Sequence, residues 1–214
     1  MDGRRNVFDL TPGYGHARFS RREILEIVIS VVVLSLAFSI AMMSGFWGSA
    51  DVVLLFSIFF GLSFAVILIS FMPHELAHKF LAQKYGAWSE YRMSGRGLAF
   101  AVLISFTGFL IAAPGAVYIR GRITEEQNGK ISAAGPLVNI VISAIALILM
   151  FNTTGWTYVL FYMLAYINAI LAIFNLIPIP PLDGSKVIRW NAPLWIAMLA
   201  VSVIEFLIAF RILF

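Results

Sequence analysis

The chain has 214 residues, 61% of them hydrophobic, with a formal net charge of +4 and no cysteine, and its mean hydropathy is +0.92. This composition is too apolar for a soluble domain and leaves room for several membrane spans but for no sizeable extramembrane domain. The basic residues flank apolar runs, as residues that set membrane orientation do, so we expect a lipid bilayer around the protein and no nucleic-acid partner. The lack of cysteine excludes disulfides and thiolate metal sites.

The N-terminal segment, residues 1–22, is polar and carries five arginines. It is predicted to be a cytoplasmic tail, because basic flanks stay on the cytoplasmic side of a membrane. A first span follows from Ile24 to about Phe46, which is too long for the core of a signal peptide. After a short external loop, a second span from Val52 to about Lys84 returns to the cytoplasmic side.

The next stretch, Tyr85–Gly97, is polar and predicted to be cytoplasmic, whereas residues 98–119 are apolar and interrupted by Pro114-Gly115. If residues 98–119 crossed the membrane once, the charged loop 120–130 would be external and every later span would be inverted, against the positive-inside rule. We therefore expect a re-entrant or β-hairpin element there. Gly115 is a candidate substrate-binding residue, because an exposed strand edge can pair with an extended peptide.

Three further spans are predicted, at Asn128–Phe151, Trp156–Leu176 and Pro193–Phe214. The fold class is therefore an all-α polytopic membrane protein with about five to six transmembrane helices and a re-entrant or β-hairpin element at roughly 98–119. The sequence has no internal repeat, so residues 23–214 are expected to form a single domain with a core at 52–190.

The second span contains a sequence with catalytic potential, FMPHELAHKF, at Phe71–Phe80. His74 and His78 are four residues apart, so on a helix their rings project from one face and can converge on one metal ion. Glu75 is positioned to take a proton from the attacking water. This is the residue pattern of a zinc protease.

A zinc site of this kind needs a third protein ligand, and no further histidine follows the pair. Glu90 and Glu125 are possible ligands, but they lie in polar cytoplasmic stretches. Asp183 is better placed, in the proline-rich break NLIPIPPLDG at the inner end of the fourth span, on the same side as the histidines. A carboxylate beside an apolar break is costly unless it has a partner, and a metal ion would be one.

The motif HELAH, the segment Ala134-Gly135-Pro136 with Asn139, and NLIPIPPLDG at Asn175–Gly184 together resemble the site-2 protease family of intramembrane zinc metalloproteases. The resemblance covers about Val52 to Arg189. Many members carry a PDZ or CBS domain, and neither is present in this sequence, which therefore resembles a minimal form.

The resemblance implies one Zn²⁺ per chain, held by His74, His78 and Asp183, with Glu75 as the general base. It implies cleavage of single-span membrane proteins within or next to their transmembrane segments. It also makes Asn175 a candidate near the scissile carbonyl. The candidates for substrate binding or an oxyanion site are thus Asn175, Asn139, Gly135 and Gly115. We expect a multi-pass protein of the cell membrane with the active site nearer the cytoplasmic side.

Other interpretations remain open at this point. Asp183 could cap a helix, Asn175 could make an interhelical hydrogen bond, and Gly135 and Asn139 could serve close helix packing. The same metal ligands would also suit a membrane carrier for zinc or another metal ion. A catalytically silent scaffold is a third possibility.

Overall fold

The computed structural model describes residues 19–110 and 112–211, in which the chain forms seven α-helices and two β-strands. Residues 1–18 of the predicted tail and the last residues of the final predicted span lie outside this part. The elements in chain order are α1 (Arg21–Met42), α2 (Val52–Lys84), β1 (Trp88–Met93), α3 (Gly95–Ser105), β2 (Gly115–Arg120), α4 (Glu125–Met150), α5 (Gly155–Asn175), α6 (Gly184–Trp190) and α7 (Ala192–Arg211).

Five of the helices, α1, α2, α4, α5 and α7, are long and apolar enough to cross a membrane. A helix satisfies all of its backbone hydrogen bonds internally, which is what a spanning segment needs in hydrocarbon. The prediction of a multi-pass, mostly helical protein is confirmed. α2 has 33 residues and is about 50 Å long, which exceeds a hydrocarbon core of about 30 Å. Its last turns therefore extend towards one end of the bundle.

The apolar segment at 98–119 returns to the end of the bundle at which it began, because the strands that precede and end it pair. β1 and β2 form an antiparallel two-stranded sheet in which Tyr91 lies opposite Val117 and Met93 opposite Gly115. The expected β-hairpin element is confirmed, with a different layout. Gly115 is the first residue of the second strand. Along the chain, α3 lies between the two strands. The first strand falls in the stretch that the sequence analysis assigned to a polar loop.

Side chains of α1 and α2 hold the outer edge of β1. Glu23 and Lys79 are both fully buried and form an ion pair in which the Lys79 Nζ donates to both carboxylate oxygens of Glu23, at 2.7 and 2.6 Å. The same Lys79 Nζ donates to the Ser89 carbonyl oxygen at 3.2 Å. Two helices and a strand thus meet at one ion pair.

α4 packs between α2 and α5 and places small residues at these contacts. Ala133, Gly135, Ala165, Ala169 and Ala172 are buried there. Small residues let membrane helices approach closely, since lipid provides no hydrophobic drive for association. The approach of α4 to α2 sets the position of the candidate site.

Candidate metal centre and active site

His74 and His78 lie on one face of α2, as the spacing predicts, and are 5% and 7% exposed. Their Nε2 atoms are 3.1 Å apart. The two rings are nearly perpendicular, at an interplanar angle of 82°. This arrangement directs two ring nitrogens into one small space.

α4 fixes both rings from the side opposite that space. The Nδ1 of His78 lies 2.7 Å from the Ile131 carbonyl oxygen, and the Nδ1 of His74 lies 2.5 Å from Asn139 Oδ1. A backbone carbonyl only accepts hydrogen bonds, so the Nδ1 of His78 must be the donor, and in the neutral ring its Nε2 carries a lone pair.

Asn139 imposes the same tautomer on His74, because its carboxamide can point in one direction only. Its Nδ2 donates to the Ser70 carbonyl oxygen at 3.0 Å and to Asn168 Oδ1 at 2.8 Å. Since the Ser70 carbonyl cannot donate, the oxygen of the Asn139 amide must face His74 and accept from its Nδ1. In the neutral rings, the Nε2 atoms of both histidines are therefore free of hydrogen and face each other.

Asp183 completes the cluster from the loop between α5 and α6. Its Oδ2 lies 3.1 Å from His78 Nε2 and 3.7 Å from His74 Nε2. Although it occupies the N-cap position of α6, its side chain makes no capping hydrogen bond, so the geometry does not support a capping role.

The position of Asp183 depends on Gly184. A Cβ added at Gly184 would lie 2.1 Å from the Leu176 carbonyl oxygen, which is far inside van der Waals contact. The absence of a side chain allows the proline-rich loop to fold back onto the end of α5. This fold places the carboxylate of Asp183 next to the Nε2 atoms of both histidines.

The three side chains fit a zinc ion by donor type and by spacing. Ligand atoms that surround zinc tetrahedrally at about 2.0–2.2 Å lie about 3.3–3.6 Å from one another. The three separations, 3.1, 3.1 and 3.7 Å, bracket that range. Gly135 leaves this space open, because a Cβ at that position would lie 2.4 Å from His78 Nε2 and 2.7 Å from His74 Nε2.

Glu75 projects towards the sheet. Its carboxylate lies near the backbone N–H of Val117 in β2 and near His74 and Asp183. Glu75 is thus next to the metal ligands and next to the edge of a strand. The narrow pocket that it enters is also lined by Glu23, Lys79, Tyr91 and Val117.

Sequence comparisons identify related proteins. Residues 152–193 match the family model described as Peptidase family M50. The chain is 40% identical over 182 residues to "Putative zinc metalloprotease MJ0611" of Methanocaldococcus jannaschii, an alignment that covers 83% of this chain and 89% of that protein. It is 32% identical over 135 residues to "Zinc metalloprotease MJ0392" of the same organism, which covers 62% of this chain and 35% of that protein. No solved structure matches the chain at a significant level.

The chain belongs to the M50, or site-2 protease, family. It is a membrane zinc metalloprotease, and membrane proteins are the substrates that the family implies. A third relative, "Putative zinc metalloprotease YwhC" of Bacillus subtilis, is 29% identical over 147 residues, which covers 59% of this chain and 67% of that protein. The resemblance stated from the motifs is confirmed.

Two candidate residues of this M50 protease lie in settings that differ from the expectation. Asn139 is fully buried, and its carboxamide is hydrogen-bonded to His74, Ser70 and Asn168. Gly135 faces the histidines, where it leaves space for an ion. The contacts of both residues with substrate stay predictions.

The settings of the other two candidates leave their predicted roles open. Asn175 ends α5, and its Nδ2 donates to the Leu171 carbonyl oxygen in the same helix at 2.9 Å. Gly115 lets the strands approach closely, because a Cβ there would lie 2.3 Å from the Arg92 carbonyl oxygen. The contacts of Asn175 and Gly115 with substrate stay predictions.

Four residues that the motifs do not single out also contribute: Asn168 and Ser70, which bond Asn139, and the buried pair of Glu23 and Lys79. Asn168 could have been found as an asparagine inside an apolar span, since intramembrane polar residues are functional candidates by default. Lys79 is likewise a polar residue inside a predicted span. Nothing in the sequence indicates that the Ile131 carbonyl would hold His78.

Proposed function

We propose that this protein is an intramembrane zinc endopeptidase that binds one zinc ion per chain through His74, His78 and Asp183 and uses Glu75 as general base. The observation that carries the proposal is the convergence of two hydrogen-free Nε2 atoms and one carboxylate oxygen within 3.7 Å of one another. Lone pairs that face one another at that distance repel unless a cation lies between them. Two histidine nitrogens and a carboxylate oxygen are donors that zinc commonly binds.

The chemistry follows from the positions of the side chains. A zinc ion in such a site supplies a Lewis acid that activates water and polarises a peptide carbonyl. Glu75 accepts the proton of the attacking water and delivers it to the leaving amine nitrogen. Asn139 and the Ile131 carbonyl keep both Nδ1–H groups engaged, which holds the rings in place through the reaction.

The proposed substrates are single-span membrane proteins. A helical substrate hides its amides in internal hydrogen bonds, so a short stretch must become extended before attack. The free edge of β2 suits such a stretch, because an extended peptide can add to a strand edge through backbone hydrogen bonds. Val117 on this edge lies near Glu75, so a peptide paired there would lie beside the general base.

We propose that the N-terminus is cytoplasmic, in the cell membrane, with the active site nearer the cytoplasmic face, and that residues 23–214 act as a single protease domain. The charge distribution supports this orientation. The loops at the opposite end of the bundle, residues 43–51 and 151–154, contain no lysine or arginine. At the end that holds the sheet and Asp183, the basic residues include Arg21, Arg22, Lys84, Arg92, Arg96, Arg120, Arg122, Lys130, Lys186 and Arg189.

The experiment compares zinc content, cleavage and zinc transport in the wild type and in Glu75→Gln. We expect about one zinc per chain in both proteins and phenanthroline-sensitive cleavage of a single-span substrate by the wild type alone. Loss of the general base should slow cleavage roughly 10²–10⁴-fold. If Glu75→Gln transported zinc into vesicles at an undiminished rate, that result would contradict the protease function and support the carrier function.

A further inference from the structure

One face of α1 is bonded to the outer edge of β1. Glu23 Oε1 accepts the backbone N–H of Tyr91 at 2.9 Å, and Glu26 Oε2 accepts the backbone N–H of Met93 at 2.9 Å. One turn further along α1, Ser30 Oγ and the Tyr91 hydroxyl are 2.9 Å apart. Side chains therefore occupy positions that a third strand would fill.

Lys79 completes this row from α2. Its Nζ donates to the Ser89 carbonyl oxygen at 3.2 Å while it holds both carboxylate oxygens of Glu23. Ser89, Tyr91 and Met93 are alternate residues of β1, and in an antiparallel pair such residues direct their N–H and C=O groups to the outer edge. The hydrogen-bond partners of the outer edge of β1 thus come from α1 and α2.

Within the part of the chain that the structure describes, the outer edge of β2 lacks the row of helix side chains that covers β1, and only Glu75 approaches it. Val117, which lies opposite Tyr91, has its N–H near Glu75. The two edges of the sheet thus differ: that of β1 is bonded to α1 and Lys79, and that of β2 faces the candidate active site. Lys79 lies one helical turn after Glu75 on α2, so the residue that secures β1 and the proposed general base share a helix face.

We propose that Glu23, Glu26 and Lys79 are positioning residues that close the outer edge of β1, so that an extended substrate segment adds to β2 and lies beside Glu75. This inference rests on the proposed function. A buried ion pair is a poor way to hold two helices together, because apolar residues do so at least as well. Apolar residues, however, would leave the N–H and C=O groups of β1 unpaired and available to a peptide.

The experiment uses disulfide trapping, for which the chain is suited because it has no cysteine. Single cysteines replace Glu90 in β1 or Tyr118 in β2, which lie opposite each other in the register. Both proteins also carry Glu75→Gln so that the substrate stays intact. The probe is a synthetic single-span peptide in liposomes, with a Pro-Gly break near its cytoplasmic end and one cysteine moved along that stretch.

With α1 unchanged, we expect the peptide to form at least ten times more disulfide with Tyr118→Cys than with Glu90→Cys, at alternate peptide positions. Glu26→Leu removes the acceptor for Met93 N–H and should raise the Glu90→Cys share at least threefold. Glu26→Gln keeps an acceptor oxygen and should leave the ratio unchanged. The double variant Glu23→Met/Lys79→Met removes both buried charges together and should shift the ratio in the same direction as Glu26→Leu.

An unchanged disulfide ratio in both Glu26→Leu and the double variant, each with about one zinc per chain, would overturn the inference. Equal trapping on both strands in the protein with native α1 would also overturn it. The proposed function fails separately, when the protein with Glu75 intact does not cleave this peptide in a zinc-dependent way.

Discussion

Nδ1 of His74 donates to the carboxamide oxygen of Asn139 across 2.5 Å, which ties a metal ligand of α2 to a residue buried in α4. Asn168 of α5 holds the same carboxamide from the other side. The direction in which His74 presents its lone pair therefore depends on three helices. Groups that orient a ligand in this way commonly affect metal affinity by about 10–100-fold.

Asn168→Asp should weaken zinc binding by about 10–100-fold, because an ionised aspartate cannot donate to the Leu164 carbonyl oxygen as Asn168 Nδ2 does at 2.8 Å. The resulting repulsion would turn the side chain and release Asn139. Competition with a chelator measures the effect. Asn152→Asp is the matched control, since Asn152 Nδ2 makes the same bond to a carbonyl four residues earlier but is exposed. Equal zinc affinities for the two variants would contradict this role of Asn168.

Gly135→Ala should abolish stoichiometric zinc binding while the protein remains folded in detergent. The added methyl group would lie 2.4 Å from His78 Nε2, in the space proposed for the ion. Zinc content after purification and helical circular dichroism measure the two quantities. Gly61→Ala serves as control, because a Cβ there meets nothing within 4 Å, and it should retain its zinc. A zinc-loaded Gly135→Ala protein would show that the ion lies elsewhere.

Asp183→Asn should lower zinc affinity by more than the roughly 10–100-fold expected of residues that only orient ligands. The substitution preserves the shape of the side chain but removes the charge that faces both Nε2 atoms. Isothermal titration of the apoprotein with zinc checks this. Asp51→Asn, in the loop before α2, is the control and should bind zinc normally. If Asp183→Asn bound zinc as tightly as the wild type, another residue would have to supply the third ligand.

The orientation can be tested with single cysteines. A cysteine at Glu125, at the start of α4, should react with a membrane-impermeant maleimide only when the cytoplasmic face is accessible. Glu125 suits this test better than Gln127, which forms a capping box with Thr124. A cysteine at Ala50, in the loop between α1 and α2, should show the opposite labelling. Labelling of the Glu125 cysteine from outside intact cells would reverse the proposed topology.

The sequence predicted the spans and the metal cluster well, because both depend on local patterns. A run of apolar residues predicts a spanning helix in any surroundings, and the four-residue spacing of His74 and His78 places both rings on one face. Asp183 could be found because a carboxylate beside an apolar break needs a partner. These inferences need no knowledge of how the helices pack.

The layout of the sheet and the residues behind the ligands could not be predicted in the same way. β1 is short and polar enough to be mistaken for a loop. Its residues pair with residues of β2 that lie about 27 positions later in the chain. Asn139 was recognised as important, but whether it faces a substrate or a histidine depends on the packing of α4 against α2. Contacts between distant segments decide such questions, and one sequence does not record them.

The ion pair of Glu23 and Lys79 has a consequence for the order in which the protein is made. Glu23 emerges from the ribosome with the first helix, yet its partners follow 56 residues later at Lys79 and 68 residues later at Tyr91. Until both have been synthesised, a charged carboxylate at this position has only water and lipid head groups to solvate it. We therefore expect the first turn of α1 to stay at the membrane surface until Lys79 and Tyr91 have been synthesised. The burial of Glu23 is then a late step in the assembly of the protein.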